Sequence, residues 1–304
     1  MSRDIDLIAA YSPFERSPRE RRRPRARRYV VVDVFSDTAL AGNPLGVFTD
    51  EREFPPSLMQ RLARELNLSE TVFVLPAVQG GDARLRIFTP TRELPFAGHP
   101  VLGSAIVIGS ALTRTSLTLE TGLGPIALEL QRSGDRIVTG VMRQAIPSWK
   151  PYEREPELLR ALGVARSGLP VEAYENGPLH VYVELDGERA VAELAPDMRA
   201  LAALAPAAAN CFAGSGGHWK TRMFAPGEGV PEDPATGSAA GPLAVHLSRH
   251  GRISFGQRIQ ISQGAEIGRP SVLFARAQGS AEHIERVEVS GSAVIVASGE
   301  FALA

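Results

Sequence analysis

Arg86-Ile87-Phe88-Thr89-Pro90, followed by Pro95-Phe96-Ala97-Gly98-His99-Pro100, decides the fold, because the chain carries a second version of both segments. Arg222-Met223-Phe224-Ala225-Pro226 repeats the first at an offset of 136 residues. Pro231-Glu232-Asp233-Pro234-Ala235-Thr236-Gly237-Ser238 repeats the second, and matching Gly98-His99 to Gly237-Ser238 moves the offset to 139. Nearer the N-terminus, Pro44-Leu45-Gly46-Val47-Phe48 is echoed by Pro178-Leu179-His180-Val181-Tyr182 at an offset of 134. Echoes in one order at nearly one separation indicate an internal duplication. The period is far beyond that of small stacked repeats, so a duplicated fold is expected, not a solenoid.

Each copy of the second motif opens a helix. Val101 to Leu112 is apolar apart from Ser104 and Ser110, which marks a buried core helix too short to cross a bilayer, and Ala239 to Leu247 is its small-residue counterpart. Around the first helix, Val30, Val31, Val32 and Val34 read as a buried strand ending at the turn Gly42-Asn43-Pro44, and Leu45 to Thr49 as a second strand. Leu58, Met59, Leu62 and Leu66 recur at helical spacing behind Pro55-Pro56, which predicts an amphipathic helix reaching Leu68. Ser69-Glu70-Thr71 and the apolar strand Val72 to Leu75 follow at once, so Glu70 falls at a helix-to-strand junction that can partly bury its carboxylate. Strand patterns at Leu117 to Leu119 and Ile126 to Leu130 complete the half. The expected class is α+β, with two pseudo-symmetric lobes, each a strand-rich, barrel-like sheet around a central helix. The lobes are placed at residues 29–140 and 141–287, with about 288–304 returning to the first.

Composition narrows the chemistry. With 304 residues, 44% apolar and 22% charged, and a net charge of -1, the chain reads as a soluble protein with no global bias toward nucleic acid or membrane. Residues 1–28 stand apart: arginines from Arg16 to Arg28 are interleaved with Pro18 and Pro24, and no apolar segment of a secretory signal follows. This segment reads as a disordered solvated tail or an over-extended start, with a polyanion-binding arm as the alternative. The single Cys211 excludes an internal disulfide, a multi-cysteine metal site and any mechanism using two thiols. Lys150 and Lys220 are the only lysines, and neither lies in a motif for a Schiff base. His246 and His250 are four apart but lack the Glu of a zinc HExxH motif, so no metal is expected. Gly214-Ser215-Gly216-Gly217 lacks what a phosphate loop requires and is expected to form a mobile loop near the cleft.

Helix starts favour anions, and those at Gly98-His99-Pro100 and Gly237-Ser238-Ala239 carry small residues that admit a ligand to the backbone. The alternative is that the glycines serve helix packing alone; their occurrence at matching points of both halves favours a shared carboxylate site. Glu70 and Asp233 are the candidate acid and base, since desolvation raises a carboxyl pKa toward neutrality. His99 is a candidate donor or general acid, or a structural cap before Pro100.

Val32-Asp33-Val34-Phe35 with Gly42-Asn43-Pro44, Leu66 to Thr71, Arg86 to Pro90, Leu94 to Pro100 and Glu232 to Gly241 resemble the phenazine-biosynthesis isomerase family, PhzF. The likeness runs from Tyr29 to the C-terminus, and Asn210-Cys211-Phe212-Ala213-Gly214, Arg249-His250-Gly251 and Gly268-Arg269-Pro270-Ser271 bring it close to the members of the phenazine pathway. The resemblance implies two diaminopimelate-epimerase-like lobes with the site between them, and a cytoplasmic homodimer that needs no cofactor. It implies Glu70 as the catalytic base, His99 and Asp233 as residues that orient the substrate and assist the proton relay, and Gly98, Gly237 and Ser238 as the carboxylate-binding groups. The implied substrate is trans-2,3-dihydro-3-hydroxyanthranilate, isomerised to an amino-ketone. The alternatives are a related isomerase or epimerase acting on another small acid, and a non-catalytic binding protein or nucleic-acid tether resting on the Arg-rich tail.

Overall fold

The computed structural model of the chain describes residues 26–49, 54–134 and 136–303. The sequence reading of residues 1–25 as part of an Arg-rich tail falls outside the described residues. The first half comprises β1 (Ala26–Val34), β2 (Asn43–Phe48), α1 (Pro56–Leu66), β3 (Glu70–Leu75), β4 (Ala83–Phe88), β5 (Glu93–Leu94), α2 (Gly98–Leu112), β6 (Ser116–Thr121), β7 (Gly124–Ser133) and β8 (Arg136–Gln144). The second comprises β9 (Ser148–Pro151), α3 (Glu155–Leu162), β10 (Glu172–Glu175), β11 (Leu179–Glu184), α4 (Glu188–Ala192), α5 (Met198–Ala202), β12 (Ala208–Ser215), β13 (His218–Ala225), β14 (Val230–Asp233), α6 (Gly237–Arg249), β15 (Arg258–Gln263), β16 (Ser271–Gly279) and β17 (Ile284–Gly291). A last strand, β18 (Ala293–Ala302), returns to the first half and pairs with β1.

Strand pairing repeats the duplication. The parallel pairs β2–β3 and β4–β6 answer to β11–β12 and β13–β15. The antiparallel pairs β1–β2, β3–β4, β6–β7 and β7–β8 answer to β10–β11, β12–β13, β15–β16 and β16–β17. β18 flanks β1 as β9 flanks β10. The halves join through the same strand of each, with β8 antiparallel to β17 from Gly140 opposite Gly291 to Gln144 opposite Val287.

Two element boundaries differ from the sequence reading. Strand β1 begins at Ala26, three residues before Tyr29, because Ala26, Arg27 and Arg28 find partners in Ala302, Phe301 and Glu300, at the other end of the chain. Strands β8 and β17 end at Gln144 and Gly291, and both are consumed in the joint between the halves. Helix α1 stops at Leu66, where Asn67 takes a left-handed φ of 50° and turns the chain into β3.

The core position of α2 follows from its composition. Every residue from Gly98 to Gly109 is buried, and the helix contacts β1, β2, β3, β6, β7, β8 and β18, so its apolar character on all sides is matched by a sheet curled around it. Helix α6 is buried from Gly237 to Ser248 and packs on β16 and β17. Among the described residues no helix is long and apolar enough to cross a membrane.

Candidate active site

The two central helices meet start to start. A Cβ at Gly98 would lie 2.6 Å from both the Gly237 carbonyl carbon and the Ser238 nitrogen, and a Cβ at Gly237 would lie 3.1 Å from the Gly98 carbonyl carbon and the His99 nitrogen. The glycines therefore permit, first of all, the approach of one helix backbone to the other. Neither flanking residue, Ala97 or Thr236, caps its helix with a side chain. The amides of Gly98 and His99 and of Gly237 and Ser238, which precede the first intrahelical bonds, and both positive dipole ends thus converge on one place.

Glu70, His99 and Asp233 gather at this junction. Glu70 opens β3, where the left-handed turn at Asn67 delivers it, and its side chain is 13% exposed. His99 is the second residue of α2, and its Nε2 stands 3.3 Å from Glu70 Oε2. The contact is not aligned as a hydrogen bond, and both buried atoms lack a hydrogen-bond partner. Asp233 ends β14; its Oδ1 accepts from Asn43 Nδ2 at 2.9 Å and its Oδ2 from the Thr236 hydroxyl at 2.6 Å. Asp233 is held from both sides, whereas Glu70 keeps an uncommitted oxygen facing His99.

Asn43 sets the protonation of His99. Its Nδ2 lies 2.9 Å from both Asp233 Oδ1 and the Ala235 carbonyl, which requires the amide nitrogen on that side. His99 Nδ1, 3.3 Å from the same nitrogen, faces a donor and is the bare ring nitrogen, so the ring hydrogen sits on Nε2 toward Glu70. Burial pushes the imidazole pKa down to about 3, which keeps the ring neutral and makes it a hydrogen-bond donor. Burial acts oppositely on the acids. Glu70 is raised well above the usual carboxylate range by desolvation and then by the charge of Asp233. Asp233 is raised to about 6 by desolvation, against the hydrogen bonds from Thr236 and Asn43. Two such neighbours titrate as a pair holding one proton over an intermediate pH range, which supplies an acid and a base together.

This arrangement costs stability. A carboxyl whose folded pKa is raised binds its proton more tightly in the native state, so the associated stability is complete below the unfolded value and falls as pH rises through the folded one. Asp233→Asn should therefore be more stable than wild type at pH 8, by on the order of 2 kcal/mol, with the advantage gone at pH 4. Thermal unfolding at the two pH values checks this, and an equal advantage at both would contradict it.

Several residues at the junction receive no role from the sequence. Asn43 reads in sequence as a turn residue, yet it bridges Asp233 and His99. Gln263 donates to the Asp233 carbonyl at 2.8 Å and to Thr236 Oγ1 at 2.9 Å, and Gln144 donates to the Gly237 carbonyl at 2.7 Å. The available signal was weak: a polar residue within a buried strand, as at His180 and Asn210, needs a partner. The duplication is also asymmetric. By strand register Ala207 stands where the first half has Glu70, because Leu45 pairs with Glu70 while His180 pairs with Ala208.

Other sequence expectations fall elsewhere. Gly216 and Gly217 form the turn of the β12–β13 hairpin, five residues or more along the strand from Asn210, and the Gly216 carbonyl is held by the Trp219 indole at 3.2 Å and Gln257 at 3.0 Å. This tight hairpin replaces the expected loop near the cleft, because β12 and β13 pair right up to it. Cys211 is wholly buried and burial pushes its thiol up to about 12, which leaves it inert. His246 and His250 do acquire a carboxylate that sequence spacing could not supply: Glu172 Oε2 lies 3.2 Å from His246 Nδ1 and 3.0 Å from His250 Nε2. The same oxygen accepts from Arg249 and from the Tyr174 hydroxyl, each at 2.8 Å, so a cation from the protein itself occupies the group.

Comparison with known proteins shows what the whole chain is similar to. The family model for phenazine biosynthesis-like proteins, PhzC-PhzF, matches residues 32–299. Trans-2,3-dihydro-3-hydroxyanthranilate isomerase of Pseudomonas fluorescens is 54% identical over 275 residues, covering 90% of this chain and 99% of that protein. The enzyme of the same name from Pseudomonas aeruginosa is 53% identical over 272 residues, covering 90% and 98%. Among solved structures, a PhzF-family phenazine biosynthesis protein of Bacillus anthracis has a TM-score of 0.81 at 23% identity, covering 91% of this chain and 99% of that one. A hydroxyproline epimerase of Agrobacterium vitis shares the fold, with a TM-score of 0.64 at 13% identity, covering 91% and 92%.

Proposed function

The chain belongs to the PhzC-PhzF family of phenazine biosynthesis-like proteins, and from that premise we propose that it is a trans-2,3-dihydro-3-hydroxyanthranilate isomerase working by proton transfer through Glu70. The observation that carries the mechanism is the pairing of Glu70 Oε2 with the neutral His99 Nε2–H, both buried, both unpartnered, beside the meeting point of two helix starts. The substrate carboxylate is held by the first-turn amides of α2 and α6 and by the Ser238 hydroxyl. Glu70 takes the proton from the ring carbon that bears the hydroxyl, and the C–H electron pair moves into the conjugated system. The proton returns to another carbon of that system, and the enol so formed becomes the ketone. His99 donates to the oxygen on which charge develops, and Asp233 orients the substrate and assists the relay. The same reading carries a homodimer in the cytoplasm, for which light scattering on the purified chain measures the assembly. Mixing the protein with trans-2,3-dihydro-3-hydroxyanthranilate and following loss of diene absorbance tests the activity; no loss with folded protein would move the assignment to another small acid.

The paired carboxyls predict the pH profile. If Glu70 must be ionised and Asp233 protonated, kcat/KM follows a bell whose acid limb lies near pH 6, above the ordinary carboxylate range, and within it the active form is the minor tautomer, since the further-raised Glu70 holds the shared proton most of the time. Asp233→Asn removes the charge that raises Glu70, so Glu70 ionises at lower pH and the residual activity shows one rising limb. Persistence of the alkaline limb in that variant would separate it from the carboxyl pair.

A further inference from the structure

Ser238 is the second residue of α6, and the protein surrounds it with more hydrogen-bonding groups than a helix start requires. Pro242 has no N–H, so the Ser238 carbonyl loses its intrahelical donor four residues on. Asn176 Nδ2 supplies that bond at 3.2 Å, while Gln144 and the Tyr182 hydroxyl donate to the neighbouring carbonyls of Gly237 and Ala239, each at 2.7 Å. The start of α6 is thereby fixed from two strands, β8 and β11, and from the turn between β10 and β11. Its hydroxyl is met by His180 Nε2 at 3.0 Å, and His180 Nδ1 is met in turn by Asn210 Nδ2 at 3.2 Å. His180 and Asn210 are 1% and 3% exposed, so neither bond is shared with solvent.

The order Ser–His–Asn invites a reading as a nucleophile with its base, and the geometry reverses it. Asn210 Nδ2 also lies 3.0 Å from the Ala208 carbonyl, which only accepts, so the amide nitrogen is fixed on the side of that carbonyl and of His180. His180 Nδ1 faces a donor and must be the bare nitrogen; Nε2 carries the hydrogen and donates it to Ser238 Oγ. Burial pushes the His180 pKa down to about 3, so the ring stays neutral and cannot take the serine proton. With one lone pair of Oγ engaged by His180, the single hydroxyl hydrogen of Ser238 is left to be donated away from the ring.

We infer that His180 and Asn210 are positioning residues for Ser238, locking its hydroxyl as a hydrogen-bond donor toward the carboxylate of the substrate at the junction of the two helix starts. The inference rests on the carboxylate site of the proposed function. Its chemical consequence is that an anion gains an oriented O–H beside the helix amides, and an uncharged analogue such as the corresponding amide gains less. A Ser238 hydroxyl free to rotate would lose this preorganisation.

Asn210→Asp tests the relay with little change of shape. The carboxylate accepts from His180 Nδ1, the bare nitrogen becomes Nε2, and Ser238 must donate to it. Steady-state kinetics with trans-2,3-dihydro-3-hydroxyanthranilate should show Ser238→Ala raising KM about tenfold or more with a smaller change in kcat. Asn210→Asp should raise KM by a similar factor at pH 8, and should add nothing in the Ser238→Ala background. Nitrogen-15 NMR of the imidazoles should find His180 of the wild type neutral with its hydrogen on Nε2, and on Nδ1 in Asn210→Asp. A raised KM in Ser238→Ala beside an unchanged KM in a folded Asn210→Asp overturns the relay alone, as do effects that add in full. An unchanged KM in Ser238→Ala overturns the carboxylate site and the relay with it. Should Asn210→Asp not fold, an Nδ1–H tautomer of His180 in the wild type is sufficient to refute the relay.

Discussion

Glu70→Gln should lose turnover by a factor of about 1000 or more while remaining folded, because a positioned general base contributes about 100- to 10000-fold and, of the described carboxylates at the junction, only Glu70 keeps an uncommitted oxygen. Glutamine preserves the length and planarity of the side chain and removes only the ability to take a proton. Asp233 cannot substitute for it, since both its oxygens are engaged, by Asn43 and by Thr236. Stability should not fall. Burial and the Asp233 charge both disfavour an ionised Glu70, so a neutral amide removes that penalty and the unfolding temperature at pH 8 should equal or exceed that of the wild type. The measurement is loss of diene absorbance alongside thermal unfolding and substrate binding. Activity within tenfold of wild type would take Glu70 out of the base role.

Gly98→Ala should be nearly as damaging, by a different route. The added methyl would sit 2.6 Å from two backbone atoms of the facing helix, and backbone cannot swing aside as the end of a side chain can. Relief to ordinary contact requires the two helix starts to separate by roughly 1 Å, and a displacement of that size at a catalytic constellation costs about 100-fold. Each helix is packed against the strands of its own half, so the movement separates His99, on α2, from Ser238, on α6, and from the strand residues that hold them. We expect kcat/KM to fall about 100-fold or more, with a lower unfolding temperature. Gly217→Ala is the control, because nothing lies within 4 Å of a Cβ at that hairpin position. A Gly98→Ala enzyme with kcat/KM within threefold of wild type would mean that the junction of the helices does not frame the site.

The duplication, the α+β class, the two central helices and the place of Glu70 between a helix and a strand can all be read along the linear chain. These are legible because apolar periodicity, proline and glycine act on the backbone within a few residues of themselves. The matching glycines at 98 and 237 marked the junction, although the contact they serve is helix against helix before it is helix against ligand. What Asn43, His180 and Asn210 do emerges only once the chain is folded. Asn43 reads as a turn residue until the fold brings it to His99, 56 positions away, and to Asp233, 190 positions away. The start of β1 at Ala26 likewise depends on β18, at the opposite end of the chain. A buried polar group must find a partner, but which one is set by how the two sheets close around their helices and join through β8 and β17, and that closure is written in no local stretch of residues.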